Sequence, residues 1–111
     1  MIEKTIMDFL HERESVPVLA EIPSPPPREY VLVVKTGGTE RDFLNTSQIV
    51  IATMGKTLLR AAELCEAVKR DMPDLVNLDV VTKVKRLEEG NVTDSLAKRH
   101  RYQLIYEITH Y

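Results

Sequence analysis

The run Gly55-Lys56-Thr57 is the part of the sequence most similar to a catalytic motif, because it follows a β-rich segment and opens a helical pattern. A phosphate-binding loop occurs in this context, where glycines allow backbone amide groups to wrap the phosphates of a nucleotide. That loop requires a further glycine five positions before its second one, and Val50 occupies that position here. We therefore interpret the run as a helix start, in which Gly55 permits a sharp turn and Lys56 lies in solvent.

Histidines, a cysteine and a glycine pair offer other kinds of chemistry. His11, His100 and His110 lack metal-ligand spacing, since the last two would lie roughly 33 Å apart on one extended strand. Cys65 falls on an apolar helical stripe, where burial raises the pKa of a thiol and disfavours a nucleophilic thiolate. Gly37-Gly38 follows a strand pattern and is more typical of a turn than of an anion-binding nest. We expect surface histidines, a buried cysteine and a turn.

Charged residues in the last third of the chain need a separate interpretation. The adjacent Glu88 and Glu89 would point to opposite faces of a strand, so they cannot flank one bond as a paired acid and base. We interpret them as solvated loop charges. Basic residues gather on both arms of the last predicted hairpin, and they are Lys83, Lys85, Arg86, Lys98, Arg99 and Arg101. This patch either contacts phosphates or an acidic partner, or it discourages aggregation at a sheet edge. The sequence predicts no catalytic residue, no metal ligand and no cofactor.

Length and composition predict one folded domain spanning residues 1–111. Hydrophobic residues make up 43% of the chain and charged residues 29%, so the chain can bury a core, which must be aliphatic because aromatic residues are only 5%. The formal net charge of -2 disfavours nucleic-acid binding as a main role. The longest apolar run, residues 30–34, is far shorter than a membrane span of about 20 residues. A single cysteine and an N-terminus unlike a secretion signal predict a cytosolic protein.

Periodicity places the elements that would position these residues. Apolar spacing predicts helices over 2–13 and 56–72, with Pro73 closing the second. Strands are predicted over 16–22, 30–34, 48–53, 80–84 and 101–111, with polar connections over 39–47 and 88–98. Pro17 restricts the first strand to an edge, the proline tract 23–27 acts as a rigid connector or docking ridge, and the segment 30–34 suits the sheet centre. The prediction is an α+β fold of order αβββαββ, with about five mostly antiparallel strands and two helices on one face.

Taken as a whole, the chain resembles the tail terminator proteins of long-tailed bacteriophages and their prophages, also called tail completion or head-tail joining proteins. The resemblance covers nearly the full length. It is carried by the opening helix, by the segment 16–23 with its proline tract, and by Tyr30-Val31-Leu32-Val33 leading to Gly37-Gly38. The long helix from Leu58 to Met72 and the closing segment 101–111 complete it. No catalytic signature belongs to the family.

The resemblance implies a structural subunit and no enzyme. It implies a homo-oligomeric ring, typically hexameric, at the head-proximal end of the tail tube, where it stops tube growth and meets the head-tail connector. DNA would pass through the lumen without specific binding, for which mild acidity is suitable. The protein would occupy the host cytoplasm during assembly and then the virion. We expect the segments 39–46 and 88–98 to contact a neighbouring subunit or the tube. The candidate interface residues are Arg41, Asp42, Phe43, Glu88, Glu89, Asn91, Lys98 and Arg99.

Two other functions stay open on the sequence. One is a head-side neck or connector protein, which would bind the portal complex instead of the tube. The other is a small ligand-binding or enzymatic α+β domain, which would require polar groups that converge in a pocket.

Overall fold

The computed structural model describes residues 1–93 and 100–111 of the chain. The helices are α1 (Ile2–His11) and α2 (Leu58–Asp71), and α2 continues into a short 3₁₀ helix (Met72–Asn77). The strands are β1 (Val18–Leu19), β2 (Tyr30–Arg41), β3 (Leu44–Gly55), β4 (Val81–Asn91) and β5 (His100–His110). The predicted α+β class and the order αβββαββ are confirmed.

The five strands form one mixed sheet in the order β1-β2-β3-β5-β4. β1 runs parallel to β2, and all other neighbours are antiparallel. The prediction that residues 30–34 form the sheet centre is wrong, because β5 returns along β3 and makes β3 the central strand. β1 is much shorter than its predicted range, and it lies at the edge, as Pro17 required.

Both inner hairpins are longer than the hydrophobic pattern indicates. β2 and β3 stay paired as far as Arg41 and Leu44, so most of the predicted connection 39–47 is strand. The glycine pair lies inside β2 beside a β-bulge between Lys35 and Gly37, and the predicted turn there is wrong. β4 likewise runs to Asn91 through much of the predicted loop 88–98. Backbone pairing sustains these segments beyond the core, where no apolar alternation is needed.

Both helices pack on one face of the sheet, as predicted. They present mainly aliphatic side chains to apolar residues of β2, β3 and β5. The core residues from the helices are Ile2, Ile6, Phe9, Leu10, Cys65 and Val68, and those from the three strands are Val31, Val33, Ile49, Ile51, Leu104, Tyr106 and Ile108. The 3₁₀ helix adds Met72 and Leu75 to this core and carries Pro73, so the helical path continues past the predicted stop.

The opposite sheet face carries Leu32, Val34, Val50, Ala52 and Ile105, as the alternation of the strands requires. Neither helix covers this face. Ala52 and Tyr30 on this face are buried, at 3% and 5% exposed, whereas Val34 is exposed. The sheet is therefore packed on one side and largely open on the other.

Candidate functional site

The outer half of the β2–β3 hairpin forms an arm whose β2 side is exposed and whose β3 side stays paired with β5 as far as Asn45. Every β2 residue from Val34 to Arg41 is exposed, whereas the first half of the strand supplies core residues. The arm ends in a two-residue turn, Asp42-Phe43, between the paired residues Arg41 and Leu44. The long axis of the molecule is 45 Å against 26 and 25 Å for the other two axes, which fits an elongated shape.

The tip of this arm combines a strained backbone with an exposed aromatic ring. Asp42 and Phe43 have φ values of 53° and 68°, so both central residues lie in the left-handed region, as a type I′ turn requires. Asp tolerates this region, but the second position of such a turn normally holds Gly. Phe43 is nevertheless 89% exposed, and its ring therefore gains almost no burial within its own chain. A bulky apolar residue at this position costs local stability without a compensating intramolecular contact.

The structure brings three of the predicted interface residues together at this tip. Arg41 and Asp42 have side chains that are 94% and 91% exposed, and they form a loose ion pair at 3.9 Å between Nε and Oδ2. A pair this exposed contributes little to folding. Arg41, Asp42 and Phe43 thus present one apolar and two charged side chains to solvent.

The remaining predicted interface residues lie elsewhere. Glu88, Glu89 and Asn91 belong to β4, whose partners on β5 pair in turn with the inner half of β3, so they lie toward the opposite end of the sheet from the tip. Asn91 accepts a hydrogen bond from the Thr93 amide at 3.0 Å through its side-chain oxygen. Lys98 and Arg99 lie outside the described residues.

Glu89 has a partner inside the molecule, and its interpretation as a solvated loop charge is wrong. Its carboxylate accepts hydrogen bonds from Lys69 Nζ at 3.1 Å and lies 3.5 Å from Cys65 Sγ. The bond from Lys69 lowers the pKa of Glu89 despite its partial burial, and Glu66 and Glu89 together raise the pKa of Lys69. These contacts attach β4 to α2. Glu88 is exposed.

Cys65 is buried, as predicted, and is 1% exposed. Burial, followed by the neighbouring Glu89 carboxylate, raises its pKa to about 12. The thiol is therefore protonated at neutral pH and serves in packing.

The segment Gly55-Lys56-Thr57 forms the start of α2, as predicted. The carboxylate of Glu29 occupies the N-terminus of this helix. Thr57 caps the helix by accepting a hydrogen bond from the Arg60 amide at 3.1 Å. Glu29 accepts from the Lys56 amide at 3.3 Å and from Arg60 Nε at 3.2 Å. Burial opposes ionisation of Glu29, but these bonds outweigh it and lower the pKa. Gly55 is needed for close packing, since a Cβ there would lie 2.4 Å from the Ala61 backbone nitrogen.

His110 is buried, which contradicts the prediction that all three histidines lie on the surface. It is 7% exposed, and its Nε2 lies 2.8 Å from Ser47 Oγ. Nδ1 lies 3.1 Å from the Tyr111 carbonyl oxygen, which can only accept, so Nδ1 is placed to donate a hydrogen bond to it. Ser47 is 1% exposed, so this pair joins β3 to β5 and is closed to a substrate. The strand alternation that points Ile108 inward was the signal that also placed His110 inside.

A half-buried pair of carboxyl groups joins the chain after α1 to the end of α2. Glu14 and Asp71 each have a buried oxygen without a hydrogen-bond partner. Burial, together with the nearby Asp71 carboxyl, raises the pKa of Glu14 to about 7, and Arg70 opposes this shift. A proton shared between the Glu14 and Asp71 carboxyl groups would provide the hydrogen bond that these oxygens lack.

A pocket with both apolar and polar groups in its lining lies on the open sheet face at the end opposite the hairpin tip. Its volume is about 150 Å³, and its walls come from Ile22 before the proline tract, from Tyr30, Leu32, Ala52 and Met54 of the sheet, from Val92 after β4, and from Arg101. A neighbouring cleft of about 380 Å³ includes Arg28, Lys56 and His100. Sequence reasoning missed this pocket because its walls meet only through the strand register.

Across residues 1–93 and 100–111, no group of three His, Cys, Asp or Glu side chains is arranged to hold a metal ion. Within the same ranges, no helix is both long and apolar enough to cross a bilayer. No protein-family model matches the sequence, and no curated protein matches it.

Proposed function

We propose that this chain is a structural subunit of the head-tail junction of a long-tailed bacteriophage or prophage. In this proposal, copies of the chain form a ring, of six subunits by the resemblance described above, on the head-proximal end of the tail tube. The ring stops tube growth and offers a surface to the head-tail connector. The subunit assembles in the host cytoplasm and remains in the virion. No reaction is assigned to it.

The observation that carries the proposal is the exposed β2–β3 arm with Phe43 at its tip. Fully exposed aromatic side chains are favoured as anchors in protein interfaces, because burial in a partner removes a large apolar area from water. The left-handed φ of Phe43 makes the free subunit slightly less stable, which suits a residue kept for contact with another molecule. The arm therefore supports a function in assembly.

A closed ring requires two different contact surfaces on each subunit, and the two ends of the sheet can provide them. A closed ring of identical subunits uses a heterologous interface, in which two different surfaces of the same chain are complementary. The hairpin tip and the pocket at the Ile22–Val92 end lie at opposite ends of β2 and β3, and they differ in shape and charge. The small net charge of -2 is compatible with DNA passing through a lumen, since a strongly basic lining would retain it.

An elongation assay tests the proposal. Tail tubes are grown from the tube protein encoded in the same genome, with and without the purified chain, and their lengths are measured by electron microscopy. We expect the chain to halt growth and to leave density at one tip only. A matched control is the variant in which the end of the arm, residues 40–45, is replaced by a tight two-residue turn between the paired Thr39 and Thr46, which should leave growth unchecked. Normal elongation in the presence of the intact chain, or binding along the tube wall, would overturn the proposal.

A further inference from the structure

We infer that Phe43 of one subunit inserts into the pocket at the Ile22–Val92 end of a second copy of this chain. The inference rests on the proposed function for ring closure. The contact itself is a property of two copies and is tested separately below. It assigns a partner to the hairpin tip and an occupant to the pocket.

Size is the first argument for this occupant. An apolar cavity of about 150 Å³ accommodates a benzene ring, and the pocket has a volume of about 150 Å³. Its lining combines the apolar side chains of Ile22, Leu32, Ala52, Met54 and Val92 with the polar groups of Tyr30 and Arg101. A phenyl ring is therefore matched to the pocket in volume, and five apolar side chains are available to contact it. Burial of the ring in the pocket would also offset the backbone strain at Phe43, which no contact offsets in the free chain.

Position excludes insertion into the pocket of the same chain. Leu32, in the pocket wall, and Arg41, beside the tip, lie nine positions apart on β2, which corresponds to roughly 30 Å along an extended strand. The ring must therefore enter a different molecule. Since donor and acceptor lie at opposite ends of one chain, each subunit both donates and accepts, and the contact repeats head to tail.

Charge is the second argument, and it favours a copy of this chain over an apolar partner of another kind. The tip carries the exposed carboxylates of Glu40 and Asp42 and one cation, Arg41, which pairs with Asp42. Arg101 lines the pocket, and Arg28 and Lys56 line the adjacent cleft. The acidic tip thus meets a basic rim. Arg101 can also lie against the inserted ring, an arrangement that this chain already uses where the Arg13 guanidinium lies 4.3 Å from the centre of the Phe9 ring.

Photo-crosslinking from the tip tests the contact directly. The azido analogue of phenylalanine, which keeps a single ring, replaces Phe43, the concentrated chain is irradiated, and the crosslinked peptides are identified by mass spectrometry. We expect intermolecular crosslinks to Leu32, Met54 or Val92. If the free chain stays monomeric, the same irradiation is applied to the chain bound at tube tips. Crosslinks to other surfaces, to the tube protein alone, or none in either sample would overturn the inference.

Complementary variants test the head-to-tail arrangement. Phe43→Ala removes the inserted ring and is the donor-defective variant. Ala52→Leu fills the pocket and is the acceptor-defective variant. Val92→Trp blocks the pocket mouth and replaces Ala52→Leu if that variant fails to fold. Each variant alone should lose self-association by about 30-fold or more, the effect of losing a hot-spot aromatic. A mixture of one donor-defective and one acceptor-defective variant keeps one intact contact and should form a dimer and nothing larger. Leu59→Ala removes another exposed apolar side chain, 71% exposed on α2, and should have no effect.

The two proposals fail in different ways. Crosslinks from position 43 to the pocket, together with no effect on tube growth, would keep this inference and overturn the phage function. Tubes capped equally well by Phe43→Ala and by the unmodified chain would keep the phage function and overturn this inference.

Discussion

Replacing Phe43 with Gly should leave the isolated chain slightly more stable while abolishing its assembly. The substitution relieves a left-handed conformation that costs a non-glycine residue about 1–2 kcal/mol. It also adds about 0.5–1 kcal/mol of chain entropy to be lost on folding. The ring is 89% exposed, so its removal forfeits roughly a tenth of the about 3 kcal/mol that full burial would provide. The three contributions leave a net stabilisation of about 0.5 kcal/mol.

Urea unfolding followed by circular dichroism measures this difference, because a shift of the midpoint at constant slope reports stability alone. Phe43→Asn should stabilise by about 1 kcal/mol, since Asn tolerates the left-handed region without the entropy of Gly. Phe43→Ala keeps the strain and should not stabilise. Destabilisation by more than about 1 kcal/mol in the Gly variant would refute the reasoning, because the ring would then have to pack against its own chain.

Three further predictions concern the interior. Gly55→Ala should destabilise the fold by at least about 2 kcal/mol, because its Cβ would lie 2.4 Å from the Ala61 backbone nitrogen, whereas Gly37→Ala, with no atom within 4 Å, should be neutral or mildly stabilising in the same urea titration. The pKa of Glu14 is raised from 4.5 to about 7 in the folded chain, so its stabilising contribution is complete below pH 4.5 and is lost as the pH rises through about 7. Glu14→Gln should remove that part of the pH dependence of unfolding, about 1 kcal/mol for a half-exposed group, and an unchanged pH profile would contradict the assignment. Cys65, with a pKa of about 12, should resist alkylation at pH 8 until the chain unfolds, and rapid labelling of the native chain would contradict its burial.

The elements that build the core could be predicted from the sequence because their apolar spacing is set by burial. Ile2, Ile6, Phe9 and Leu10 mark α1, and the stripe through Cys65 and Val68 marks α2, and all of these residues lie in the core. The strands were located for the same reason. The order of the strands in the sheet could not be predicted, because the local pattern of β5 does not indicate that it pairs with β3 and makes β3, not β2, the central strand.

The length of strand segments that lie outside the core was underestimated. The outer half of β2, with its glycine pair and exposed polar residues, has the composition of a loop, yet it pairs with β3 as far as Arg41. In a sequence, a type I′ turn is normally recognised by the dipeptide Asn-Gly or Asp-Gly, and Asp42-Phe43 lacks the glycine. The candidate residues 41–43 were identified as a loop contact, but the rigid arm that carries them was not. The pocket was also invisible in the sequence, because Ile22, Ala52 and Val92 become neighbours only in the folded sheet.

Negative-stain electron microscopy of tail tubes incubated with the chain tests the central claim most directly, when the intact protein is compared with the folded Phe43→Ala variant. Assembly through the hairpin tip predicts one ring at a single tip of each tube with the intact chain, and bare tips with the variant. Bare tips with the intact chain, or rings that form equally well without the Phe43 side chain, would contradict it.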